Sequence, residues 1–78
     1  DFEATISLAV YAKDIALSFN NRSEFVRAIR SSNSDYSLRD AVSIMREIVD
    51  NDNRVEIIFK KNVKETLDKL RIIGYDVI

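Results

Sequence analysis

The sequence predicts an α+β domain, a small three-stranded and mostly antiparallel sheet with helices packed on one face. The expected order is strand, short helix, helix, helix, strand, helix, strand. Three observations carry that expectation. Residues 3–11 alternate apolar and polar side chains, the period of a half-buried strand. Residues 22–49 instead repeat apolar residues every three or four positions, the period of two amphipathic helices. The only glycine, Gly74, follows a third helical stripe and precedes Tyr75-Asp76-Val77, as a helix does when it stops and turns back into a strand.

Taken in order, Ile6, Leu8 and Val10 fall on one side of the first strand, and Thr5, Ser7, Ala9 and Tyr11 on the other. A helical reading of residues 4–19 competes, because Leu8, Ala12, Ile15 and Phe19 share one helical face. The strand is placed to about Tyr11, with a short helix from about Lys13 to Phe19. Asn21 with Glu24 has capping-box spacing, so a helix is expected from Arg22 to about Ser32, burying Phe25, Val26 and Ile29. Residues 31–37 form a polar turn. Ser37 with Asp40 repeats the cap signal, and Leu38, Ala41, Val42, Met45, Ile48 and Val49 make one apolar stripe. Asp50-Asn51-Asp52-Asn53 ends that helix. Val55, Ile57 and Phe59 then alternate with Glu56, Ile58 and Lys60 as a second strand. Asn62 with Glu65 suggests a further capped helix carrying Val63, Leu67, Leu70 and Ile73, before Gly74 and the closing strand.

With no proline, repeat or low-complexity tract, residues 1–78 read as a single domain, in which 1–21 supply a strand and short helix and 22–78 the remaining core. The first residue is Asp1 rather than methionine, so processing or excision from a longer protein is expected. Twelve basic and thirteen acidic residues leave a net charge of −1, which gives no global attraction to nucleic acid or anionic lipid. No apolar run approaches the ~18 residues of a membrane span. The lack of cysteine removes disulfides and thiolate metal sites, and fits a cytoplasmic, reducing location.

Histidine is absent too, which removes the commonest general base and metal ligand. The serines sit mostly at turns and caps, where they serve the backbone. Asp50 and Asp52 superficially resemble a calcium loop, but no glycine sits at its sixth position and Lys61 occupies its twelfth. One glycine cannot build a phosphate-cradling loop. No enzyme activity, metal or cofactor is therefore expected. Two basic groups remain. Arg27 and Arg30 share the polar face of the 22–32 helix, where Arg22 and Arg39 extend them; Lys60, Lys61 and Lys64 cluster after the second strand.

Several segments resemble the C-terminal domain of the bacterial ribosomal stalk protein, whose fold is shared by the adaptor that delivers substrates to the Clp protease. They are Phe25-Val26-Arg27-Ala28-Ile29-Arg30, Leu38-Arg39-Asp40-Ala41, the run from Lys64 to Leu70, and Gly74-Tyr75-Asp76-Val77. Asp40 to Glu47 also resembles a segment of the adaptor. The resemblance covers about residues 22–78 and is mainly structural. In the stalk family the first two helices present basic and apolar residues to translation factors, a role that falls by position on Arg27 and Arg30, with Arg22 and Arg39 beside them. The family's glycine-rich turn is replaced here by residues 31–37, a family lysine by Val42, and the adaptor's histidine is missing.

The expectation is a non-catalytic protein–protein interaction module that docks an acidic partner through Arg22, Arg27, Arg30 and Arg39. Two other readings stand beside it. One is RNA or other nucleic-acid binding through the lysine group with nearby arginines. The other is a self-associating domain, a homodimer in which the first strand pairs across two chains.

Overall fold

A computed structural model describes residues 3–78. It contains β1 (Ala4–Val10), α1 (Lys13–Ala16), α2 (Phe19–Ser32), α3 (Leu38–Val49), β2 (Val55–Phe59), α4 (Val63–Ile72) and β3 (Tyr75–Val77). The predicted α+β order is the observed one, and the strands form one antiparallel sheet in the order β2-β1-β3. Because β2 and β3 both oppose β1, they run parallel to each other and α4 crosses between them, a split β-α-β unit.

Strand wins over helix at residues 4–10 because β1 is the central strand. Ile6 faces Ile57 and Leu8 faces Val55 on one side, and Val10 faces Tyr75 on the other. One edge is paired with β2 along Ala4–Leu8 and the other with β3 along Leu8–Val10. The dimer expected from pairing of the first strand across two chains would find an unpaired edge on the β3 side only at residues 4–6. Leu8, Ile57, Phe59 and Tyr75 are buried on the helix side, while Thr5, Glu56 and Ile58 on the opposite face are exposed. The Phe25 and Tyr75 rings pack with centroids 4.4 Å apart and tilted by 31°, joining α2 to the last strand.

One helix end, one helix start and one cap differ from expectation. Helix α1 stops at Ala16 rather than Phe19. Helix α2 begins at Phe19, not Arg22, because Ser18 Oγ accepts the Asn21 amide at 3.2 Å and acts as the N-cap. The Asn21 side chain instead donates to the Ile15 carbonyl at 2.8 Å, closing α1. Asn62 sits at the start of α4 but makes no side-chain cap, since the turn out of β2 holds it left-handed at φ 53° and not in the extended region a capping side chain needs. The Ser37–Asp40 capping box forms in both directions.

The polar turn after α2 is more than a connection. Ser32 and Asn33 are buried. The Ser32 carbonyl accepts the Lys60 and Lys61 amides, and Asn33 Nδ2 donates to the Ile58 carbonyl at 3.0 Å. The Ile58 amide donates to the Tyr36 hydroxyl at 3.0 Å, so much of the outer edge of β2 is closed by this segment. At the other end of the sheet Gly74 adopts φ +105°, and a Cβ there would lie 2.7 Å from the Ala12 carbonyl oxygen; that oxygen anchors α1.

Candidate functional site

Helices α2 and α3 form an antiparallel hairpin. Arg22 near the start of α2 meets Met45 and Asp50 at the end of α3, and Arg30 near the end of α2 reaches the Tyr36 carbonyl ahead of α3. Between them lies an open cavity of about 510 Å³. Its floor is apolar: Val26 and Met45 are buried, Val42 is half-buried, and Phe19 and Leu38 mark the two ends at 82% and 57% exposure. Its rim carries Arg22, Arg27, Arg30 and Arg46, and among the described residues no acidic side chain lines it.

The four arginines are not equivalent. Arg22 Nη2 donates to Asp50 Oδ1 at 2.7 Å, Nε to the Leu17 carbonyl at 3.1 Å, and Nη1 to the Met45 sulfur at 3.5 Å. Its side chain is only 26% exposed, and it serves as an internal clasp between the start of α2 and the end of α3. The Asp50 hydrogen bond raises the Arg22 pKa further, and the guanidinium in turn holds the Asp50 carboxyl below its ordinary range. Arg27 has a side chain 76% exposed and a 3.2 Å pair with Glu24 one turn earlier, the kind of surface pair that exchanges readily with solvent or a partner. Arg30 donates to a carbonyl at 3.4 Å. Neither Arg30 nor Arg46 has a carboxylate partner among the described ion pairs.

Of the four arginines singled out from sequence, the fold therefore brings Arg22, Arg27 and Arg30 to one groove but engages Arg22 internally. Arg39 lies on the far flank of α3, in an adjoining shallow cavity of about 480 Å³ that it shares with Leu38, Val42 and Arg46. Sequence reasoning missed Arg46, Phe19 and the groove role of Leu38 and Val42. A signal existed, because Leu38, Val42 and Arg46 are spaced by four residues along one line of α3. The apolar stripe of α3 is also wider than one contact with the sheet can cover.

The other clusters are engaged within the fold only in part: Lys61 has no partner among the described ion pairs, and Lys64, with a side chain 90% exposed, lies 3.8 Å from Asp68. Lys60 Nζ lies 2.6 Å from Asp35 and 3.7 Å from Glu3, and the Asp35 contact raises the Lys60 pKa. Asp52 pairs with Lys13 at 3.0 Å, and the Asn51 and Asn53 side-chain amides both donate to Glu47 Oε1, lowering the Glu47 pKa. Among the described residues no group of three or more acidic, histidine or cysteine side chains is placed to hold a metal ion, and no helix is long and apolar enough to cross a membrane. Comparison with protein-family models, with curated proteins and with solved structures returned no match.

Proposed function

We propose that this domain is a non-catalytic docking module that binds an acidic protein surface in the groove between α2 and α3. The observation that carries the reading is the pairing of an apolar floor, ending in the exposed Phe19 and Leu38, with a rim of four arginines, on a chain whose overall charge is −1. Of these, Arg30 and Arg46 have no carboxylate partner among the described ion pairs and Arg27 only an exposed one. Positive charge is concentrated where apolar surface is exposed, which is the composition of a recognition patch. Arg27, Arg30 and Arg46 steer and orient the partner, Arg39 extends the field along α3, and Arg22 ties the two helices together at one end of the groove. The stalk-like fold, an adaptor or regulatory role and a cytoplasmic location belong to the same proposal. They rest on the short motifs between Phe25 and Val77 and on the cysteine-free composition.

Charge reversal of the exposed pair, Arg27→Glu/Arg30→Glu, tests this. Bound proteins recovered by wild type and variant are compared at low and high salt, with circular dichroism confirming that the variant is folded. The expected result is loss of a salt-sensitive, acidic set of partners; identical recovery overturns the proposal. The nucleic-acid reading relies on Lys60, Lys61 and Lys64, of which Lys60 already faces two carboxylates. Titration against RNA and duplex DNA at low salt separates the two, and a shift that survives Arg27→Glu/Arg30→Glu but is lost on Lys61→Glu/Lys64→Glu favours nucleic acid.

A further inference from the structure

Resting on the docking reading above, we infer that the occupant of the α2–α3 groove is an amphipathic helix, with apolar residues recurring every three to four positions and acidic residues along both flanks. From Phe19 to Arg30 the groove spans about 16 Å at about 1.5 Å per residue, the length of a three-turn helix. Its apolar contacts lie in a line, Phe19 at one end, Val26, Val42 and Met45 in the middle, and Leu38 at the other. An i, i+3/i+4, i+7 set of apolar anchors matches that spacing.

The walls decide against an extended ligand. Both are α-helices whose backbone amides and carbonyls are used internally, so the groove has no strand edge to pair with. A segment lying extended over Val26, Val42 and Met45 would aim its own N–H and C=O groups sideways at helical walls that offer no free backbone partner, whereas a helix satisfies them within itself. Charge sets the flanks. Arg27 and Arg30 stand on the α2 side and Arg46 on the α3 side, so carboxylates are matched on both edges of the incoming helix. A second copy presenting the same face would bring these arginines against each other, which disfavours a symmetric pairing. Among the described residues Phe19 is the one aromatic lining the groove, too few for a base-stacking platform.

The test uses random 16-residue peptides displayed on phage, selected on the immobilised domain and depleted against a Leu38→Glu/Arg46→Glu variant, both substitutions being at exposed positions. An enriched peptide is then synthesised with a central proline and, separately, with its acids changed to amides. The expected enriched sequences carry acids and a three-to-four-residue apolar period. The proline version then binds at least tenfold more weakly, and the amide version loses its salt dependence. Groove-dependent binders that alternate every second residue, or that tolerate proline, overturn the helical inference but leave the docking reading standing. Enrichment of basic peptides, or no groove-dependent enrichment, overturns both. Self-association of the domain that is lost on Leu38→Glu/Arg46→Glu assigns the groove to a second copy and also overturns the inference.

Discussion

Tyr75 is fully buried, and its hydroxyl is the one buried side-chain polar atom without a hydrogen-bond partner among the described residues. Burial drives its pKa up, because a phenolate there would be stripped of water. The ring packs on Phe25, so the hydrophobic share of the residue is secure while the hydroxyl carries a desolvation cost. Tyr75→Phe should therefore leave stability unchanged or raise it by about 1 kcal/mol, and urea unfolding reads this directly. A loss above that size would mean that the hydroxyl has a partner. The Arg22–Asp50 pair makes a second residue-scale prediction. Asp50 and Glu47 have pKa values depressed in the folded state, so the unfolded chain binds protons first as pH falls. Their stabilising contribution is complete above the ordinary carboxylate range of about 4 and is lost as pH drops through the lowered folded values. The midpoint of thermal unfolding should fall below about pH 4, and Arg22→Ala should flatten that acid limb; an unaltered profile would show that the clasp contributes nothing.

At the scale of elements, the cap signals were only partly decisive. Ser37 and Asp40 exchange both capping hydrogen bonds, and Ser37→Ala should cost about 1 kcal/mol. Asn62 carries the same spacing with Glu65 yet makes no cap and sits left-handed, so Asn62→Gly should be neutral or slightly stabilising. Equilibrium denaturation of the two variants gives the contrast; equal losses would contradict it. The pattern is the same in both places, and what differs is the direction from which the chain arrives. Residues 33–37 lead into α3 with Ser37 extended at ψ 169°, whereas residues 60–61 must reverse out of a strand. Similarly, Asn33 looked like a turn residue from its neighbours alone. Its burial follows from β2 lying alongside, which local sequence does not encode.

For the molecule as a whole, the Cα radius of gyration of 11.0 Å agrees with about 11.5 Å expected for one closed core of this length. That core is built around Leu8, Phe25, Ile29, Ile48, Phe59 and Tyr75, and the groove opens along the seam between α2 and α3, where the core residues Val26 and Met45 form its floor. The floor of the groove is thus shared with the core, while the exposed Leu38 and Arg27 at its rim are not part of it. Leu38→Glu and Arg27→Glu should each change the unfolding free energy by no more than about 0.5 kcal/mol while weakening groove-dependent binding. A large stability loss for either would place those side chains in the core instead.

From residue 22 onward, periodicity, cap residues and the lone glycine determined from sequence alone which segments are helix and strand, and that Phe25 and Leu70 point inward; residues 4–19 stayed open between the two. These are local matters, set by backbone preference and by which side chains leave water. Only the tertiary structure placed β1 at the centre of the sheet, engaged Arg22 with Asp50, and left Phe19 and Leu38 exposed and Val42 half-buried beside Arg46. Each of those outcomes depends on residues far apart in the chain, and a stripe of apolar side chains cannot state how much of its width a neighbour will cover.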